Sequence, residues 1–230
     1  MKNKNYYINP EEDDKRTNER LERLLSRSFA RYWKRKRVFD ICMASILLIC
    51  TSPVMLLVAL AIKLEDMKSP VVYMQKRIGR HGKPFDLYKF RTMVMNADEL
   101  KAQLMDRNEM DGPVFKMKDD PRITHMGRFL RRTSLDELPQ FYNVLKGDMS
   151  VVGPRPPLPE EVEQYDDYQK LRLLVTPGIT CIWQTQPNRN SIAFDDWVDM
   201  DLDYIERRTM CFDLKLILKT PFVMIKRDGR

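Results

Sequence analysis

Two adjacent carboxylates, Asp136 and Glu137, follow the arginine pair Arg131-Arg132 and precede a stiff turn, Gly153-Pro154-Arg155-Pro156-Pro157. Carboxylates can serve as nucleophiles or hold a divalent cation, and fixed arginines grip phosphate oxygens in pairs. An arginine held between prolines has little conformational freedom to lose on binding. The combination points to a phosphorylated ligand. It also admits a plainer account. Ser134 followed by Glu137 at three places fits a helix capping box, with Asp136 in the first turn. If Pro139 instead takes the first helical position, the dyad belongs to the preceding turn and is freer to reach a ligand. Sequence leaves both registers open.

Such a dyad needs a scaffold. Residues 71–75 read as a strand, 79–84 as a turn and 84–92 as a second strand. Alternation puts Tyr88 and Phe90 on one face and Lys89 and Arg91 on the other, either aimed at phosphate or facing solvent. Residues 96–107 read as a polar helix broken at Asp111-Gly112-Pro113. Asp119 and Asp120 are metal candidates or ordinary turn acids. Further on, 160–174 reads as an amphipathic helix, 176–180 as a turn, and 201–208 and 212–225 as helices, the last packing towards a membrane-facing side.

The chain has 230 residues and a formal net charge of +7, which favours anionic partners. Its four cysteines form no Cys-x-x-Cys pair, which suits free thiols in a reducing compartment. His81 and His125 lack metal-ligand spacing. Residues 1–10 are polar, with no signal-peptide pattern. From 11 to 37 apolar residues recur at helical spacing, and Tyr32 and Trp33 stand among Arg31, Lys34, Arg35, Lys36 and Arg37. That is either an interfacial helix on anionic headgroups or an amphipathic helix packed on its own domain or a partner. The apolar run 38–62 is long enough to cross a hydrocarbon core of about 30 Å. Ser52-Pro53 interrupts it, and basic residues flank both ends. A re-entrant hairpin bent at Ser52-Pro53 satisfies the positive-inside tendency; a kinked full span, which would carry one basic cluster across, is the alternative, and a buried soluble helix is the least favoured reading. The expected division is an arm over 1–36, a membrane hairpin over 37–66 and a cytosolic domain over 67–230, without internal repeats.

The segment Asp136-Glu137, Leu145-Lys146-Gly147-Asp148-Met149-Ser150, Pro154-Arg155-Pro156 closely resembles the bacterial sugar transferases, the monotopic polyprenyl-phosphate phosphoglycosyl transferases. The likeness extends from about Lys36 nearly to the C-terminus. It takes in Tyr88-Lys89-Phe90-Arg91-Thr92-Met93, the Ser52-Pro53 break and Cys181-Ile182-Trp183-Gln184 with Asn188-Arg189. Cys181 and Asn188 stand where the family usually has glycine. Asparagine tolerates a left-handed backbone; Cys181 puts the local turn in question.

The resemblance implies a mainly α fold with a small β-hairpin, a re-entrant membrane helix-hairpin and a cytosolic catalytic domain on the cytoplasmic face of the bacterial inner membrane. It implies transfer of a sugar 1-phosphate from a UDP-sugar to polyprenyl (undecaprenyl) phosphate, releasing UMP, as the first membrane step of surface polysaccharide assembly. Asp136 would be the nucleophile and Glu137 the Mg²⁺ ligand. Lys89, Arg91 and Arg155 would bind phosphate, with Pro154, Pro156, Gln184 and Arg189 as candidate nucleotide or sugar contacts. Anionic lipids are further partners, and a homo-oligomer is left open. A non-catalytic membrane adaptor, whose dyad is only a cap, is the rival of another class, and a polyprenyl diphosphate hydrolase is a third. A nucleic-acid binder would have no use for the long apolar run.

Overall fold

The computed structural model describes residues 15–25 and 30–225, apart from 105, 107, 109–112, 115, 116, 118 and 188. The expectations for residues 1–10, for Asp111-Gly112 and for Asn188 lie outside these. Helix α1 (Lys15–Leu25) is followed by the long helix α2 (Ala30–Glu65). A hairpin pairs β1 (Val72–Ile78) with β2 (Pro84–Phe90) in antiparallel register, setting Tyr73 opposite Lys89. Helices α3 (Ala97–Gln103), α4 (His125–Thr133) and α5 (Gln140–Lys146) come next. Two three-residue strands, β3 (Ser150–Val152) and β4 (Gly178–Thr180), then pair in parallel across the short helices α6 (Pro159–Val162) and α7 (Asp167–Lys170). Helices α8 (Phe194–Arg207) and α9 (Met210–Ile225) complete the chain.

Two readings change. The single helix expected over 160–174 is two short helices and a 3-10 turn. Asp166 accepts from the backbone N–H of Gln169, whose side chain caps Asp166 in return, and so starts a new helix inside the expected one. The amphipathic segment expected over 11–37 is α1 and the root of α2, on either side of residues outside the described set. Two cations of α1 reach the domain: Arg16 pairs with Asp199, and Arg20 with Asp203 and Glu206 of α8. Tyr32 and Trp33 are likewise held by the domain. The Tyr32 hydroxyl donates to Asp213 at 2.8 Å, and the guanidinium groups of Arg80 and Arg208 lie 5.4 and 5.1 Å from the centre of the Trp33 ring.

Helix α2 keeps its helical assignment through Ser52 and Pro53, where the sequence suggested a break between two arms. Proline removes the N–H that would bond the carbonyl four residues back, that of Ile49. The Ser52 hydroxyl donates to that carbonyl at 2.8 Å, so the orphaned acceptor is satisfied locally. Both ends of α2 rest on the same domain. At its start Lys36, Asp40 and Ala44 are buried; near its end Val58 and Ile62 pack with Phe90 and Leu130. Between them Ile46, Ile49, Leu56 and Leu57 are exposed.

The starting end is held by polar groups. Lys36 Nζ lies 2.9 Å from Asp213 Oδ2, Asp40 accepts from the Val151 backbone at 3.1 Å, and Arg37 donates to the Val144 and Leu145 carbonyls of α5. The main core, including Val144, Val152, Leu171, Trp197 and Leu202, fills the space between α5, the β3/β4 pair and α8. Close backbone approach shapes its edge. A Cβ on Gly178 would meet the Gly153 nitrogen at 2.0 Å, so β4 can lie against the Pro-Arg-Pro turn only with glycine there.

Candidate active site

Helix α4 ends at Ser134, whose backbone is left-handed with φ 57°. A non-glycine residue pays for that conformation, and it turns the chain sharply into a 3-10 turn, Leu135–Glu137, that carries the dyad. The Ser134 side chain makes no cap hydrogen bond, and Pro139 precedes α5 as its N-cap. The capping-box register is therefore not adopted. Asp136 and Glu137 belong to the turn before the helix and line a cavity of about 270 Å³.

Lys89 of β2, Arg77 of β1, Arg155 and Pro156 of the proline turn, and Gln184 and Arg189 line the same cavity. The structure thus brings most of the sequence-derived candidates together from five separate segments. Arg91 and Pro154 are not among its lining residues. Arg91 lies two positions further along the strand direction than Lys89, roughly 7 Å away. It donates to the Pro70 carbonyl at 3.0 Å and lines a neighbouring cavity with Lys89. Pro154 is buried behind the turn, where its carbonyl accepts from Gly178 N at 2.8 Å. Ser52 and Pro53 lie in α2, as described.

Charge in the cavity is unusually exposed to mutual influence. Burial pushes the Asp136 carboxyl above the usual carboxylate range and the neighbouring Glu137 adds to that, while Lys89 and Arg131 oppose it. Burial likewise pushes the Lys89 ammonium down, helped by Arg77 and Arg131. Arg77 is buried and donates only to neutral acceptors, the Pro156 carbonyl at 2.9 Å and the Gln75 amide at 2.7 Å; its Nε has no partner. Buried cations with neutral partners are costly unless an anion joins them. A phosphate is the group that would satisfy them, since it carries charge and several acceptors.

One wall of the cavity is aromatic. Trp183 and Trp197 stack with ring centroids 4.2 Å apart, Arg189 lies over Trp183 at 5.0 Å, and Arg155 over Trp197 at 5.7 Å. Beneath, Arg172 forms a buried ion pair with Asp201 and lies 5.0 Å from the Trp197 ring. Arg77, Gln140 and Trp197 were not read from sequence as site residues. Alternation along β1 could have found Arg77, which shares a face with Tyr73 and Gln75. Trp197 carries no local signal beyond its size.

Among the described residues no cluster of three or more His, Cys, Asp and Glu side chains is poised for a metal. Asp120 is engaged by Arg122 at 2.7 Å and Asp119 is exposed. Magnesium, however, commonly takes only one or two carboxylates and completes its shell with substrate phosphates and water. The adjacent pair Asp136-Glu137 fits that pattern.

A model of the bacterial sugar transferase family matches residues 31–227, which include every cavity residue just named. The chain belongs to the bacterial sugar transferase family. It is 46% identical over 195 residues to galactosyl transferase CpsE of Streptococcus agalactiae, covering 84% of this chain and 43% of that one. It is 43% identical over 217 residues to the undecaprenyl-phosphate galactose phosphotransferase of Salmonella typhimurium, covering 91% and 44%. The exopolysaccharide production protein ExoY of Sinorhizobium fredii is 39% identical over 199 residues, covering 84% and 87%. The chain therefore spans less than half the length of the first two relatives and most of the third. Within this bacterial sugar transferase, Cys181 sits in the core with its backbone outside the left-handed region. Its turn has no need of glycine, and burial pushes its thiol up to about 12, leaving it inert.

Proposed function

We propose that the chain is a membrane-bound phosphoglycosyl transferase that moves a sugar 1-phosphate from a UDP-sugar to polyprenyl phosphate and releases UMP. The observation that carries this reading is the placing of two adjacent carboxylates among Arg77, Lys89 and Arg155 in one cavity. In the first step a carboxylate oxygen of Asp136 attacks the sugar-bearing phosphorus. The bond from that phosphorus to the bridging oxygen breaks, UMP leaves, and the sugar phosphate is esterified to Asp136. A phosphate oxygen of the polyprenyl phosphate then attacks the same phosphorus. The aspartyl oxygen–phosphorus bond breaks and the carboxylate is restored, leaving polyprenyl diphosphate sugar. Lys89 and Arg155 offset the repulsion between anionic nucleophiles and anionic diphosphate. Glu137 would hold Mg²⁺, whose chemistry there is charge neutralisation on the phosphates.

The membrane assignment follows from α2. Its middle presents exposed apolar side chains, its two ends rest on one domain, and cations flank both ends. A helix that dips into the leaflet and returns, on the cytoplasmic face of the inner membrane, fits all three. Purified protein in lipid with Mg²⁺, polyprenyl phosphate and a panel of UDP-sugars should liberate UMP with at least one sugar. Failure with every sugar, in protein shown to be folded, overturns the reading.

Two further outcomes are expected. Because Asp136 attacks as the carboxylate and its proton is held more tightly than usual, UMP release should fall on the acid side well above the ordinary carboxylate value of about 4. A pH profile of kcat/KM checks this. Arg155→Lys keeps the charge but loses the paired grip on phosphate, which should lower kcat/KM for the UDP-sugar about ten- to hundredfold.

A further inference from the structure

Asparagine is a poor occupant of a helix interior, because its amide competes for backbone hydrogen bonds. Asn143 nevertheless stands inside α5, fully buried. Its side chain has work there. The Oδ1 atom accepts from the Tyr88 N–H at 3.0 Å, and Nδ2 donates to the Asp86 carbonyl at 2.7 Å and to Asp148 Oδ2 at 3.2 Å. Oxygen and nitrogen are thus both engaged, which an ionised aspartate, having no donor, could not reproduce.

Asp86 and Tyr88 are alternate residues of β2, so the backbone groups they turn away from β1 lie along one edge of the hairpin. Such an edge otherwise carries unpaired donors and acceptors. One side-chain amide takes the part of a third strand, offering its C=O and N–H to the N–H and C=O of that edge. Helix α5 is also held from another side, since Arg37 of α2 donates to its Val144 and Leu145 carbonyls. It is therefore fixed between the root of the apolar helix and the hairpin.

The two segments joined by this amide carry two charges of the reaction. Lys89 follows Tyr88 directly and, by alternation, faces the cavity from the other side of β2. Asp136 lies in the 3-10 turn that leads into α5, and Gln140, one turn before Asn143 on the same helix face, lines the cavity. Burial dominates the proton affinity of both charged groups; beneath that effect Lys89 draws the Asp136 proton off and Asp136 steadies the Lys89 ammonium. Their attraction varies with their separation. A shift of α5 along β2 would change it, and a misplacement of about 1 Å from a remote substitution can cost about a hundredfold in rate.

We propose that Asn143 is a positioning residue for the transfer reaction: its side-chain amide, docked on the outer edge of β2, sets the separation of Lys89 from the Asp136 carboxylate. This rests on the transferase reading above and adds a residue from outside the cavity lining.

Two measurements on the full chain in detergent test it. The first, amide hydrogen exchange, needs no turnover. In the wild type the Tyr88 amide should exchange as slowly as that of Leu87, which is turned towards β1; fast exchange at Tyr88 overturns the clamp whatever any variant does. In Asn143→Ala the Tyr88 rate should rise about tenfold or more while Leu87 stays within about threefold. A rise at both alike would make Asn143 a mere stabiliser of the hairpin and overturns the positioning role. The second measurement is a double-mutant cycle on kcat/KM for the UDP-sugar. Asn143→Ala should lower it about ten- to hundredfold in the wild type but no more than about threefold in a Lys89→Met background, where no ammonium is left to misplace. An equal loss in both backgrounds overturns the proposal. If the substitution frees the Tyr88 amide but the wild type itself liberates no UMP, the transferase reading sinks and the clamp stands.

Discussion

Replacing Asp136 by asparagine is expected to reduce UMP release by about 10⁴-fold or more, the scale typical of removing a covalent nucleophile. The amide is nearly the same size, so the 3-10 turn Leu135–Glu137 keeps its shape, and α2 and its anchor on Asp213 are untouched. Membrane association should therefore be unchanged. Mass spectrometry supplies the sharper form of the test. Wild-type protein given UDP-sugar without acceptor should gain the mass of one sugar phosphate, and the variant should gain none. Activity within tenfold of wild type in Asp136→Asn would remove the aspartyl ester from the mechanism. A membrane adaptor predicts something else again, no UMP release from either protein.

The second large effect concerns stability. Asp213 is fully buried, 2.9 Å from the nearly as buried Lys36, and it also accepts from the Tyr32 and Tyr204 hydroxyls. Asp213→Ala would leave an ammonium in the core with only Asp40, at 3.7 Å, to offset it. Breaking one side of a buried pair costs about 3–5 kcal/mol. For a protein of this size that lowers Tm by roughly 6–20 °C. Thermal unfolding in a fixed detergent measures it. Lys36→Met combined with Asp213→Ala should recover part of the loss, because the stranded ammonium is gone and only Asp40 loses its partner; with Lys36→Met alone as the fourth corner, the double-mutant cycle isolates the pair. A fall of less than about 1 kcal/mol in Asp213→Ala would show that water reaches Lys36.

What could be read from the chain was what is local in it. The β1/β2 hairpin showed as two alternating runs around a turn, and the dyad and Arg155 stood out because their neighbours are equally unusual. The β3/β4 pair did not show. Each strand has three residues, both are largely buried, and they meet across a long connection, so neither alternation nor a tight turn marks them. The register of the dyad turned on the backbone of one residue, Ser134, whose left-handed conformation no side-chain preference announces. Arg20 illustrates a different limit. Nothing in the residues around it names its partners, Asp203 and Glu206 of α8, which lie more than 180 positions away in the chain. Trp197 became part of the site only through its stacking on Trp183.

Because both ends of α2 rest on one domain, the depth to which the proposed leaflet-dipping helix enters a membrane would be set by the protein's own packing rather than by lipid length. A helix anchored on opposite sides of a bilayer answers a thicker membrane by tilting, at a modest cost per ångström. One whose two ends share an anchor has no such strain to relieve. Turnover measured across nanodiscs of shorter and longer acyl chains should accordingly vary little, so long as the headgroup chemistry is held constant.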